Sequence, residues 1–288
     1  MNIQWYPGHM TKAKRQMQED IKLIDLIIEL VDARVPLSSR NPDIDELGKN
    51  KSRLILLNKS DLADERQNEA WKTYFQAKGF YVVKVDSRNG SGMKAINNVI
   101  QEACKEKIER DRRRGIKNRP IRAMVVGIPN VGKSTFINSL AGKTAAKTGN
   151  KPGVTRGNQW IKIDKQLELL DTPGILWPKF DDEAIGMKLA CVGSISDEVL
   201  NMQEIAYHLL SYGKVNYNQL FEARYGAVPQ PDDERDNEIV LWMENIARQR
   251  GCLKRGAETD FDKVSAQITD DFRSGRIGKV SLEVPKQA

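Results

Sequence analysis

The sequence predicts an α/β protein, a parallel sheet followed by a smaller all-helical domain. Three observations predict it. Short apolar runs rich in β-branched residues alternate with helical patterns through the first part of the chain. One of these runs leads straight into a glycine-rich loop, Gly127-Ile128-Pro129-Asn130-Val131-Gly132-Lys133-Ser134. Past Pro178 the strand-like runs stop, and only helical spacing of apolar residues remains.

Taken in order, residues 23–31 form the first strand-like run, which ends at Asp32-Ala33-Arg34-Val35-Pro36. Residues 54–57 and 81–85 are the second and third, with a helical pattern over 64–78 between them. Residues 123–126 precede the glycine-rich loop, and a helix-compatible Thr135-Phe136-Ile137-Asn138-Ser139-Leu140 follows it. Residues 160–163 and 167–170 read as two further strands around a turn at Asp164-Lys165. Beyond Pro178, Val199, Met202, Ile205, Ala206 and Leu209 recur at helical spacing. Ile239, Val240, Met243, Ile246 and Ala247 do the same, and so do Phe261, Val264, Ile268 and Phe272. Thr259-Asp260-Phe261-Asp262 resembles a helix N-terminal box with Asp in the place of Glu. The chain of 288 residues has room for about two domains, expected at 1–178 and 179–288.

Composition excludes several classes. With 40% hydrophobic and 30% charged residues the chain can bury a core and is no disordered tail. No apolar run approaches the roughly 20 residues that span a bilayer. The opening Met1-Asn2-Ile3-Gln4-Trp5-Tyr6-Pro7-Gly8-His9-Met10 lacks the basic-then-apolar pattern of a signal peptide. Cys104, Cys191 and Cys252 are too scattered for a disulfide framework or a clustered zinc site. A cytoplasmic protein with no membrane partner is expected.

The net charge of +7 hides an asymmetry. Residues 1–178 hold 32 basic and 20 acidic side chains, whereas residues 179–288 hold 14 and 19. Residues 105–122 alone hold nine basic and three acidic ones, either a solvated helix face or a footprint for phosphate backbones.

The glycine-rich loop has the spacing of a phosphate loop, between a strand and a helix as that motif requires. Its backbone N–H groups, including those of Asn130, Val131, Gly132, Ser134 and Thr135, can cradle phosphates. Lys133 can reach the β and γ oxygens, and Ser134 can ligate Mg²⁺. Asn58-Lys59-Ser60-Asp61 ends an apolar run, where ligand loops of α/β sheets gather. The Asp61 carboxylate can accept both guanine N–H donors, a pair that adenine does not offer. Asp171-Thr172-Pro173-Gly174 supplies a carboxylate for Mg²⁺ through water and an N–H, at Gly174, for the γ-phosphate. Thr155, within Pro152-Gly153-Val154-Thr155-Arg156, is either a switch ligand of Mg²⁺ or an ordinary loop threonine. Ser87-Arg88-Asn89 fits a loop that packs against the base.

Motif order is the most informative feature. Small GTPases place the phosphate loop first and the guanine motif late; here the guanine motif is at residue 58 and the loop at 127. The chain therefore resembles a circularly permuted GTPase of the YlqF/RbgA family of ribosome-assembly GTPases. Residues 5–10, 32–36, 58–61, 127–134, 152–156 and 171–174 carry the resemblance. It implies a P-loop GTPase fold in permuted order, and hydrolysis of GTP to GDP and phosphate. It also implies binding to the immature large ribosomal subunit and its rRNA, and release on hydrolysis at a late maturation step. A monomer is expected off the ribosome. The alternative is an RNA-binding scaffold that uses GTP and scarcely hydrolyses it.

Ile175 stands where many GTPases carry a glutamine that orients the attacking water. His9 lies in the segment that the resemblance makes the supplier of the missing group, against a loop or RNA-contact role. His208 reads as structural. Asn130 is either a K⁺ ligand, as in GTPases that place this cation at the γ-phosphate, or a helix-start asparagine. Turnover is expected to be slow alone and stimulated by ribosomal particles. Arg248, Arg250, Lys254, Arg255, Arg273, Arg276 and Lys279 are candidate RNA contacts.

Overall fold

Six strands are set out in the computed structural model, which describes residues 15–116, 119–142, 146, 158–174, 176, 182–231, 233 and 237–286. They are β1 (Leu26–Asp32), β2 (Ser52–Asn58), β3 (Tyr81–Val85), β4 (Ile121–Val126), β5 (Gln159–Lys162) and β6 (Leu167–Asp171). Their order across the sheet is β3-β2-β1-β4-β6-β5. All neighbours run parallel except β5, which pairs antiparallel with β6 at the edge. The turn sets that exception: Asp164 Oδ1 accepts from Gln166 N at 2.7 Å and Leu167 N at 2.9 Å, closing a tight hairpin.

The first three strands step outward in one direction. The chain then returns through α3 (Met93–Ala103) and α4 (Lys105–Arg113) to lay β4 on the other side of β1. That reversal is a topological switch point, where carboxyl-terminal strand ends splay into a crevice. Asp32, Asn58, the glycine-rich loop, Ser87 and Asp171 all stand at or just past those ends.

Burial on both faces explains the near-continuous apolar runs. Leu26, Ile28, Leu54, Leu56, Val125 and Leu169 pack on one face with Ile96 and Ile100 of α3 and Phe136 of α5 (Lys133–Ala141). On the other face, Ile55, Leu57 and Val82 meet Trp71 and Phe75 of α2 (Glu65–Ala77), while Ile27, Met124 and Leu170 meet Met17, Ile24 and Ile44. Ile44 belongs to the short α1 (Asp43–Leu47).

The second half is α6 (Glu183–Cys191), α7 (Met202–Asn216), α8 (Asn218–Tyr225), α9 (Glu238–Arg250) and α10 (Phe261–Arg273). Their core joins Ile205 and Leu209 to Trp242, Ile246, Val264, Ile268 and Phe272, as the helical spacing predicts. Two details differ. Asp260, not Thr259, caps α10 by accepting from Lys263 N at 3.1 Å. Val199 is 50% exposed, because Asn201 caps α7 and starts it at Met202.

The last described residues leave the helical half and strap back over the sheet. Val280 N donates to Leu62 O (3.1 Å) and Leu282 N to Arg34 O (2.8 Å). The buried Glu283 carboxylate accepts from Leu37 N (2.7 Å), from the Ser38 hydroxyl and from Lys188 Nζ (3.3 Å). Trp71 Nε1 donates to Glu283 O at 3.2 Å.

Candidate nucleotide site

The phosphate loop passes from β4 into the N-terminus of α5, so its free backbone N–H groups point where an anion would sit. Gly132 caps that helix at φ 100°, and a Cβ there would come within 2.5 Å of Asn58 Nδ2. Only glycine satisfies both conditions. Lys133 is buried and folds back over its own loop, Nζ donating to Gly127 O (3.0 Å) and Ile128 O (3.2 Å). Burial lowers its pKa to about 8, with Asp171 opposing the shift.

Asp171 ends β6 opposite Val125. Burial raises its carboxyl to about 6 against the pull of Lys133, and its Oδ1 is buried with no hydrogen-bond partner. Thr172 Oγ1 donates to Val125 O at 2.8 Å and pins the turn that follows. A Cβ on Gly174 would lie 2.9 Å from Pro129 Cα and 3.0 Å from Lys133 Nζ, so this turn presses directly on the phosphate loop. An unpartnered carboxylate oxygen, with Ser134 in the first turn of α5, is a donor set of the hard-oxygen kind that suits Mg²⁺.

The guanine motif is tied to the same loop. Asn58, buried at the end of β2, donates from Nδ2 to Val131 O (2.7 Å). Its Oδ1 accepts from Ser87 N (3.2 Å) and Ser87 Oγ (2.8 Å). Asp86 fixes the next turn, Oδ1 accepting from Arg88 N (2.9 Å) and Asn89 N (3.1 Å). Lys59 Nζ donates to Asn130 O and to Asp32 Oδ2, each at 2.9 Å. Asp61 stands exposed at the rim, its carboxyl raised by partial desolvation and by Asp86. Lys59 and Asn130 both have φ 58°, two of the three non-glycine positive-φ residues among those described. Strain concentrated in one hydrogen-bonded pair marks a functional position.

Two residues to which sequence reasoning gave no role complete the cluster. Asp32 Oδ1 accepts from Arg34 Nε (2.9 Å) and Oδ2 from Arg34 Nη2 (2.8 Å). Burial opposes its charge, but Arg34 and Lys59 hold the carboxyl well below the usual range. Arg34 is 1% exposed, stacks over Phe272 at 5.1 Å and donates from Nη1 to Phe272 O (3.4 Å), in α10. The available signal was a charged pair closing an apolar run at a strand's carboxyl end. Asn130 is not a helix-start residue: Gly132 holds that position, and Asn130 Nδ2 donates to Gly193 O at 2.8 Å, just past α6.

His9, Thr155 and Ile175 lie outside the described residues. His208 is half-buried in α7 beside Tyr212, and burial lowers its pKa. Among the candidate RNA contacts, Arg273 is an internal strut on Ala190 O (2.8 Å), Cys191 O (3.1 Å) and Asp197. Arg250 and Arg276 pair with the buried Asp271. Arg248, Lys254, Arg255 and Lys279 remain exposed.

The sheet order and the loops at its carboxyl edge define a P-loop GTPase whose motifs run in circularly permuted order. A family model described as 50S ribosome-binding GTPase matches residues 122–224, starting on the phosphate-loop strand. Ribosome biogenesis GTPase A of Bacillus cereus is 48% identical over 287 residues, covering 100% of this chain and 95% of that protein. The Thermotoga maritima protein of the same name is 33% identical over 284 residues, covering 99% and 95%. The chain belongs to the ribosome biogenesis GTPase A family and is a GTPase. GNP-bound YlqF from T. maritima superimposes with a TM-score of 0.65 at 29% identity, over 96% of this chain and 100% of that one. No helix among the described residues is long and apolar enough to cross a membrane.

Proposed function

We propose that this GTPase binds the immature large ribosomal subunit through its rRNA, as a monomer, and couples GTP hydrolysis to a late maturation step and to its own release. The observation that carries the coupling is the Lys59–Asn130 pair, where both bases of a signal meet. Lys59 joins the guanine motif to the phosphate loop and, through Asp32 and Arg34, to α10; Asn130 joins the same loop to the turn after α6. A shift of the phosphate loop between nucleotide states therefore bears on the helical half at two points. In a switch of this kind the two states differ by repacking of such contacts.

Asp61 accepts the two guanine N–H donors, while Asn58 and Ser87 brace the loop beneath the base. Lys133 exchanges its two loop carbonyls for β- and γ-phosphate oxygens. Ser134, Thr155 and Asp171, the last through water, would hold Mg²⁺, which would supply positive charge against the charge developing on the phosphates. Gly174 N–H reads the γ-phosphate. His9 is the proposed source of the group that orients water in place of the glutamine; His9→Ala should slow hydrolysis and spare GTP binding. With Nδ2 of Asn130 committed to Gly193, its Oδ1 is the atom for K⁺, and turnover in KCl against NaCl tests that role.

Sedimentation with large ribosomal subunits, with GDP or a non-hydrolysable GTP analogue and at several salt concentrations, tests the reading. Binding with the analogue, release with GDP and stimulated hydrolysis support it. Equal sedimentation in both states, without stimulation, favours the scaffold.

A further inference from the structure

The basic run of residues 105–122 has no part in the nucleotide site. Its helix, α4, lies at the amino-terminal rim of the sheet, because α3 has carried the chain back from the carboxyl end of β3 and β4 starts just beyond. None of the residues of α4 is buried. Among the described residues, Lys105, Arg110, Arg112, Arg113 and Arg114 form no ion pair within 4 Å, against two unpaired carboxylates, Glu106 and Glu109. Cations in the last turn of a helix favour its dipole, which accounts for one or two of them.

Asp25 connects this helix to the sheet. Its Oδ1 lies 3.3 Å from Lys107 Nζ and 3.8 Å from Arg119 Nη2, and its Oδ2 accepts from Arg122 N at 3.1 Å. The Arg122 guanidinium in turn lies over the Trp160 ring, 5.3 Å from its centroid. Trp160 is 41% exposed on edge strand β5, and Lys162 is exposed two residues on, level with Arg122 across β6. Glu168, paired with Arg122 Nε at 3.2 Å, and Asp111, paired with Lys107 and Arg119, are carboxylates within this group besides Asp25. A large aromatic left open beside a guanidinium, and continuous with free cations, is the combination that stacks a base and tracks a phosphate backbone.

We propose that this rim, α4 together with Arg119, Arg122, Trp160 and Lys162, is a contact surface for single-stranded RNA. The phosphates lie along α4, and one base lies on Trp160. It deepens the reading that the protein binds rRNA, by assigning a surface that runs from the amino-terminal rim of the sheet along edge strand β5 to Trp160, level with Leu170 of β6. RNA is favoured over an anionic lipid surface because α4 offers no apolar face to insert: Ile108 is directed into the core, leaving only Ile116 exposed just past the helix.

The test uses the full chain, a 12-nucleotide uridine oligonucleotide and three variants: Arg112→Gln/Arg113→Gln/Arg114→Gln together, Trp160→Ala, and Trp160→Phe. Neutralising three cations should reduce the slope of log affinity against log salt by about 2, at roughly 0.7 per phosphate contact on a single strand. Trp160→Ala should weaken binding about 10-fold with the slope unchanged, while Trp160→Phe retains binding, as stacking requires. GTP hydrolysis without RNA should stay at the wild-type rate in all three variants. Wild-type affinity and slope in the triple variant and in Trp160→Ala would overturn the proposal, as would tighter wild-type binding to phosphatidylglycerol vesicles than to the oligonucleotide. If these variants still sediment with large subunits like the wild type and bind the oligonucleotide equally, the surface is wrong and the ribosomal reading stands. If the wild type ignores large subunits while the oligonucleotide effects hold, the reading fails and the surface stands.

Discussion

Asp32 and Asp271 are buried carboxylates that each gather cations, one in each half of the molecule, and they are built differently. Asp32 is closed in by Arg34, itself 1% exposed, and by Lys59 of the guanine motif. Asp271 is met by Arg224, Arg250 and Arg276, whose side chains are 24–46% exposed, and by Tyr225 OH at 3.2 Å. Both carboxyls are held below the usual range against the push of burial. The first cluster spans both halves and touches the nucleotide site; the second ties α8, α9 and α10 to one another. Asp32 thus does the wider work with two cations against three, because one of its partners, Arg34, is almost wholly dry.

Breaking each cluster should expose that difference. Asp32→Asn leaves Arg34 and Lys59 without their carboxylate, and breaking a buried pair of this kind costs about 3–5 kcal/mol. Urea denaturation should register that loss, and GTP affinity should fall with it because Lys59 is released. An unchanged denaturation midpoint would remove Asp32 from the centre of the fold. Asp271→Asn should cost less, about 1.5–3 kcal/mol for charged hydrogen bonds with wetter partners, and leave GTP affinity untouched. A weakened GTP affinity there would mean that the two clusters communicate.

Smaller still is Asn130→Ala, which removes one hydrogen bond to Gly193 worth about 1 kcal/mol. It also places a residue less tolerant of positive φ in a strained position. Its signature should be a phosphate loop less coupled to the helical half, read as a smaller difference in proteolysis between GDP and GTP-analogue states. Equal nucleotide dependence in variant and wild type would show that Arg34 alone carries the link.

The smallest effect is in pH. A carboxyl whose folded pKa is lowered stabilises the protein fully above its unfolded value of about 3.9, and less as pH falls through the folded one. The stability gap between wild type and Asp271→Asn should therefore be constant from pH 7 to 5 and narrow below about pH 4. A gap that closes already at pH 6 would mean that other groups set it.

Much of this molecule was legible from residue order. Both-face burial made β2 and β4 readable as unbroken apolar runs and β1, β3 and β6 as runs broken by one charge, and the phosphate loop and Asn58–Asp61 motif are local patterns with fixed spacing. The antiparallel edge followed from the Asp164 turn. What could not be read were bonds between distant segments. Arg34 meets Phe272 across 238 positions, and Ser38 meets Glu283 across 245, with no periodicity to announce either. Arg250, Arg273 and Arg276 look alike in sequence to Arg248, Lys254 and Arg255, and only tertiary contacts separate struts from free cations.

The strap at residues 280–283 carries a consequence for how the chain comes to be. It is made after every other element described here, yet Leu282 and Val280 bond to the loops that follow β1 and β2, among the first strands made. During synthesis Trp71 Nε1 and the Leu37 and Ser38 amides therefore lack their native acceptors until residues 280–283 emerge. Domains ordinarily fold as they leave the ribosome, the earlier before the later. Here residues made late bond to the half made early, so a chain cut short before Val280 would lack the bonds to Leu62 O and Arg34 O and the acceptor of Trp71 Nε1.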